Sequence, residues 1–454
     1  MRPKIKYFSK LATVILLFGI IKTASTQEEI FSLGMQLGTG ARAIAMGGAY
    51  TALGGDYSAS FWNPAALADI RRVEFYGSLS TMVRQNRGDF ENIPFTQIVN
   101  EDDANFTSIN EAGVAYPVPT ERGSLVLSFG YNRVKSFDSN FDFRAFNFSA
   151  DDSLNQAWKE LESGSLGAWT IAGAVDISPN MSVGLGLNFW TGGSEFQRTF
   201  REVDIDDIYT FENFTIDDQL KTDITGFNLK FGALLDLPLV KLGAAITTPV
   251  TFKVKENFVT SEKLLDDNLE IADEAFDEGF FEYKIRSPWT FNVGGSLNLL
   301  NFVVSGDLEF NDWSNIHYKS APPDADLTQA EANRIIRNSY GQQTRVDLDF
   351  VNFTVPEPRV RLGAEFTLPL TGLSFRAGYF RDPSVFEDAF DGEDKQFYSA
   401  GIGFLVDKQV RLDLAFVHGF WKNFNQGLPG TDDIGDYVED IKVNRAFISI
   451  AYRL

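Results

Sequence analysis

The 454-residue sequence contains no cysteine and two histidines, His317 and His418. That excludes disulfide staples and gives no basis for a metal centre, which draws on clustered Cys, His or carboxylate ligands. Beyond the first two dozen residues, no segment approaches the ~18 consecutive apolar residues of a membrane-crossing helix. Basic residues are in deficit, 40 Lys+Arg against 62 Asp+Glu, for a net charge of −22. A nucleic-acid partner is therefore not expected, since it calls for a basic footprint. No Gly-x-Ser-x-Gly elbow occurs, and Asp413 and His418, five apart in a segment of strand character, face opposite sides. No enzyme activity and no catalytic residue are expected. Gly38-Thr-Gly-Ala-Arg-Ala43 matches a relaxed dinucleotide fingerprint, but it lacks the preceding strand that motif requires, so no cofactor is expected.

What the chain does have begins with an export signal. Arg2, Lys4, Lys6 and Lys10 precede an apolar stretch from Leu11 to Ile21, and small residues end at Thr26. Residues 1–26 read as a signal peptide cleaved before Gln27. They carry five of the basic residues and no acidic one, so the remainder has 35 basic and 62 acidic side chains, a net charge of −27. An exported protein without cysteine folds without disulfides.

From Val73 onward, apolar and polar residues alternate with period two, the pattern of strands with one apolar face. Met181, Val183, Leu185, Leu187 and Phe189 alternate with Ser182, Gly184, Gly186 and Asn188. Val360, Leu362, Ala364, Phe366 and Leu368 alternate with Arg359, Arg361, Gly363, Glu365 and Thr367. About fourteen such segments are expected, an even number as in bacterial single-chain barrels. Connections alternate in length. Turns near 117–123, 178–180, 237–238, 300–301, 370–372 and 407–409 are short. Acidic, irregular loops are expected near 84–108, 137–166, 194–220, 257–279, 317–358, 382–394 and 422–442. Tight turns on one rim and long loops on the other describe a transmembrane antiparallel barrel, with the short turns periplasmic. Within the loops, Ser261–Phe276 spaces Leu264, Leu265, Leu269, Ala272 and Phe276 as a helical face, and Asp152–Leu161 and Thr328–Ile336 do so more weakly.

Two further features bear on function. Residues 40–67 are rich in Gly and Ala and close on Trp62-Asn63-Pro64-Ala65, where Pro64 ends whatever precedes it. Such a segment ahead of a barrel suits a plug inside the lumen. The less apolar strand faces carry Glu74, Asp307, Glu309, Arg359, Arg361, Glu365, Arg376, Arg411, Asp413 and Arg445. Barrel interiors require paired charges for stability. Guanidinium also binds carboxylate in bidentate fashion, which makes Arg359, Arg361 and Arg376 candidates for meeting a ligand carboxylate.

The segment 40–67 with its Asn63-Pro64-Ala65 resembles the N-terminal hatch of the FadL/TodX-type outer-membrane transporters. Gly306–Ser314, with its Asp-Trp-Ser corner, Pro288–Gly295 and Phe375–Asp382 are also reminiscent of that family. The resemblance implies a signal peptide (1–26), a hatch (27–70) and a barrel of about 14 strands (71–454). It further implies a monomer in the outer-membrane lipid of a Gram-negative cell that passively admits long-chain fatty acids, hydrocarbons or other hydrophobic small molecules. Ligand would be caught by the outer loops, enter a cleft between wall and hatch, and leave as the hatch shifts, sideways through the wall. The alternative is a PorV-like barrel, which shares this hatch and acts as a binding and shuttle component of a protein secretion system.

Overall fold

The computed structural model describes residues 37–90, 104–149, 152–207, 209–322, 327–340, 345–348, 353–385, 391–406, 409–425 and 437–454. The expected signal peptide and residues 27–36 of the expected hatch lie outside them.

Fourteen antiparallel strands close on themselves. They are β1 (Glu74–Phe90), β2 (Ala104–Val118), β3 (Leu125–Ser136, continued by Ser139–Ser149), β4 (Asp152–Ser178), β5 (Met181–Asp204), β6 (Asn213–Asp236) and β7 (Val240–Thr247 and Thr251–Leu265). They continue as β8 (Ile271–Arg286 and Thr290–Leu299), β9 (Phe302–Asn311), β10 (Arg359–Thr367), β11 (Leu373–Asp382), β12 (Lys395–Val406), β13 (Val410–Asn425) and β14 (Tyr437–Arg453). β1 pairs with β14 from Glu74–Arg453 to Phe90–Tyr437, which removes both sheet edges. Lipid would leave an open edge without hydrogen-bond partners, so closure is obligatory.

The alternation sorts side chains as the sequence predicts. Leu127, Phe129, Trp169, Ile171, Leu185, Phe189, Phe227, Phe231, Phe366, Phe375, Leu414, Phe416 and Ile450 point outward and are exposed. An apolar belt of that extent suits lipid and would drive a water-soluble protein to aggregate. Their neighbours Ser128, Thr170, Asn188, Asn228, Asp307, Arg361, Arg376 and Ser449 face inward and are buried.

Three expected loops are not irregular. β4, β5 and β6 have 27, 24 and 24 residues, far beyond the ~9–11 that cross a membrane. Their surplus lies on the long-loop side and builds a projecting sheet over much of 137–166, 194–220 and 257–279. The helical reading of Asp152–Leu161 is overturned. Leu161 lies between Asn140 and Gln197 in a continuous ladder, so neighbouring strands take its backbone hydrogen bonds. The helical reading of Ser261–Phe276 fails too. Leu269 turns with φ of 63°, and Asp266 accepts from the N–H groups of Asn268 and Glu270 at 2.9 Å each. That turn folds the apolar stripe into two paired strand ends. Only the third expected helix forms, α1 (Gln329–Tyr340). Thr328 and Glu331 cap its start reciprocally, and Ala332 and Ile336 pack beneath Tyr318 and Tyr283.

β7 and β8 are both interrupted at the same level, at Thr248-Pro249-Val250 and Ser287-Pro288-Trp289. Neither proline can donate to the ladder. Ser287 repairs the gap, its N–H donating to the Val250 carbonyl and its Oγ accepting from the Val250 N–H, both at 2.9 Å.

Ile171→Arg, in the outward belt between Phe129 and Leu187, should cost about 2–4 kcal/mol if it reaches the bilayer midplane. Phe276→Arg on the projecting hairpin should leave stability within about 0.5 kcal/mol. Urea unfolding in lipid vesicles measures both.

Candidate functional site: the lumen and its inner segment

Residues 37–70 form a compact segment of one-turn helices (Ala41–Ala45 and Ala59–Trp62) and a 3₁₀ turn (Pro64–Asp69), almost all of it buried. The small side chains predicted for a plug let this backbone pack close to the wall. Its partners come from around the ring. Glu111 on β2 accepts from the Gly40 N–H at 2.7 Å, and Glu74 on β1 from the Tyr57 N–H at 2.7 Å. Asp307 on β9 accepts from the Tyr50 and Thr51 N–H groups at 2.8 and 2.7 Å. Arg42 forks onto Glu365 of β10 at 2.8 and 3.0 Å, and its Nη1 also donates to the Tyr50 hydroxyl and the Gly54 carbonyl.

Asn63, Pro64 and Ala65 are fully buried against β5 and β6. Asn63 is extended, as its following proline requires. Its Nδ2 donates to the Thr51 carbonyl at 2.8 Å and to the Ala233 carbonyl of β6 at 3.0 Å, while Oδ1 accepts from the Ala65 N–H. Two wall glycines make this approach possible. A Cβ on Gly232 would lie 2.1 Å from Asn63 Oδ1, and one on Gly184 would lie 2.4 Å from the Ala65 nitrogen.

The three arginines singled out from the sequence all face the lumen, and each already holds carboxylates of the chain. Arg359 pairs with Glu309 at 2.8 Å and with Asp382. Arg361 pairs with the other Glu309 oxygen at 2.8 Å and stacks over Trp62 and Phe380. Arg376 bridges Glu365 at 2.5 Å and Asp413 at 2.9 Å, where Arg411 also arrives at 3.0 Å. Removing one partner from such a buried set strands a charge, so these networks rigidify the wall.

A cavity of about 120 Å³ opens between this network and the inner segment, at the level of the proline breaks. Phe61 and Trp62 border it from the inner segment, and Trp190, Val250, Phe252 and Trp313 from the wall. Arg359, Glu309, Lys135 and Lys230 supply its charges. Of the three arginines, Arg359 alone lines it. Sequence reasoning missed the two lysines. Lys230 was legible, since it falls in period with the inward Asn228 and Gly232. Lys135 was not, because a register shift between Arg133 and Lys135 displaces it from the regular alternation.

The hydrogen-bond ladder is interrupted beside β3. The β2–β3 ladder runs only from Val118–Leu125 to Glu111–Asn132, and β2 beyond that point pairs with β1 alone among the described residues. β3 bends away at Phe137-Asp138. Asp138 fixes the bend, pairing with Arg133 at 2.7 Å and accepting from the Gly164 N–H at 3.0 Å.

A closed barrel with an apolar outer belt, a small-residue segment in its lumen and an apolar cavity beside that segment defines a membrane channel. Residues 21–445 match a family described as outer membrane protein transport protein (OMPP1/FadL/TodX). The chain belongs to that family and is an outer-membrane β-barrel. Similar solved structures include the toluene transporter TodX of P. putida at 12% identity, covering 92% of this chain and 99% of that one with a TM-score of 0.60. A FadL homologue of Pseudomonas aeruginosa has 14% identity, 89% and 95% coverage and a TM-score of 0.54. The toluene transporter TbuX of Ralstonia pickettii has 12% identity, 93% and 100% coverage and a TM-score of 0.55. No curated protein sequence matches the chain. Family membership favours transport over the secretion-shuttle alternative.

Arg376→Met should destabilise the barrel by about 3–5 kcal/mol, because Glu365 and Asp413 are left buried with less compensation. Gly232→Ala should cost about 1–3 kcal/mol through its clash with Asn63. Denaturant midpoints of the refolded protein in detergent report both.

Proposed function

We propose that this protein is a monomeric channel for passive uptake of hydrophobic small molecules, with residues 27–70 as its hatch. The observation that carries the reading is the cavity bordered on one side by Phe61 and Trp62 of the hatch and on the other by the barrel wall. Related structures carry names that fit it: toluene transporters and a monoaromatic hydrocarbon channel. Such compounds need a protein route because the polysaccharide face of an outer membrane excludes them. No bond is made or broken.

A ligand descends through the projecting loops and displaces or reorients Phe61 and Trp62. It acts on the hatch only to the extent that it binds one hatch arrangement better than the other. The aromatic contacts to Lys230 and Arg361 make that coupling direct. Lys230 donates to the Phe61 carbonyl and lies 4.7 Å from its ring centroid, and Arg361 lies 5.5 Å from that of Trp62. The interrupted β2–β3 ladder offers a sideways exit into the membrane. Arg359, which lines the cavity, is the candidate for meeting a ligand carboxylate, while Arg361 and Arg376 lie outside its lining and are each held by carboxylates of the chain.

Cells lacking their own outer-membrane carrier, expressing this chain, should take up labelled toluene and a labelled long-chain fatty acid above the empty-vector level. Asn63→Ala combined with Pro64→Ala should reduce uptake several-fold with the barrel still folded by heat-modifiable gel migration. Deleting 41–68 should abolish selectivity and admit small hydrophilic solutes. Unchanged uptake and selectivity after deletion would contradict the hatch role.

A further inference from the structure

We infer that the resting cavity selects a single-ring aromatic carboxylate, benzoate in type, rather than an uncharged hydrocarbon or a long acyl chain. This rests on the transport reading and specifies its ligand. Size is the first constraint. The cavity holds about 120 Å³, close to the ~150 Å³ of a protein cavity known to bind benzene. A single ring fits that volume, whereas a long acyl chain would extend through its open side.

Ring chemistry is the second. Trp62, Trp190, Phe252 and Phe61 present faces and edges suited to another aromatic. Trp190 and Phe252 already meet edge to face at 5.8 Å. Charge is the third constraint and separates the anion from toluene. Lys135, Lys230 and Arg359 line the cavity together with Glu309, and Arg359 is paired with Asp382 as well as with Glu309. Glu309 is committed to Arg359 and Arg361, and Lys230 to the Phe61 carbonyl. Lys135 has no hydrogen-bond or ion-pair partner among the described residues, although its surroundings are largely buried. A carboxylate on the ring would supply that partner. Asn292 adds an independent polar contact. It is 8% exposed and lines the cavity, and its Oδ1 accepts no hydrogen bond, which suits a ring hydroxyl as donor.

The test is titration of the full-length barrel in detergent with benzoate, toluene and palmitate, following the quenching of tryptophan fluorescence. Benzoate should bind more tightly than toluene. Lys135→Met should weaken benzoate at least about tenfold and leave toluene within twofold. Lys221→Met, on the outer surface, serves as the control and should change neither. 4-Hydroxybenzoate should bind more tightly than benzoate, and Asn292→Leu should remove that difference. Equal affinity for benzoate and toluene, or benzoate binding indifferent to Lys135→Met in a folded barrel, would overturn the inference. If toluene or palmitate were still bound and taken up, the transport reading would survive that result. Loss of uptake of all three compounds would instead overturn the transport reading itself.

Discussion

Everything in this protein depends on what the barrel wall does with charge. Lipid accepts only apolar side chains and a closed hydrogen-bond ladder, so the polar half of every strand turns inward. Carboxylates and guanidiniums are thereby concentrated in a narrow space, where each must find a partner. Part of the compensation is wall to wall, as in Glu309 with Arg359 and Arg361. The rest comes from the inner segment. Glu74, Glu111 and Asp307 each accept from backbone N–H groups, those of Tyr57, of Gly40, and of Tyr50 and Thr51 respectively. The wall and the segment within it therefore complete each other electrostatically.

That dependence explains why the segment is built from Gly, Ala, Ser and Thr. Backbone groups can reach wall carboxylates only where few side chains intervene. The wall answers with its own glycines, as Gly184 and Gly232 do beneath the Asn63-Pro64-Ala65 turn. On the outward side of that turn, Phe61 and Trp62 are the large residues, and the cavity lies against them. The breaks in β7 and β8 leave room for it, since Pro249 and Pro288 cannot continue the ladder there.

Much of this architecture was legible because a barrel writes its period directly into the chain. The strand count followed from alternation, and the short rim from turns such as Ser178-Pro179-Asn180. The inward charges were readable on the same basis, residue by residue. What the sequence concealed has physical causes. β4, β5 and β6 run far beyond the membrane, where both faces can be polar, so the alternation that marks a wall fades while pairing continues. In Ser261–Phe276 a helix-like stripe proved to be two strand ends brought together by the Asp266 turn, and hydrophobic spacing alone cannot tell these apart. The partners of Arg376 and Arg359 lie on strands remote in sequence, so a candidate ligand-binding charge could not be told from a neutralised one. Lys135 was hidden by one register shift.

The measurement that most directly tests the central claim is hydrogen–deuterium exchange at the backbone N–H groups of Gly40, Tyr50, Thr51 and Tyr57. It would be made on the folded barrel, with and without saturating toluene or benzoate. If wall carboxylates hold the inner segment and ligand releases it, all four amides exchange slowly at rest and faster with ligand, while the β10–β11 ladder stays protected. Fast exchange at rest, or rates indifferent to every ligand, would show that the segment is neither held nor released in this way.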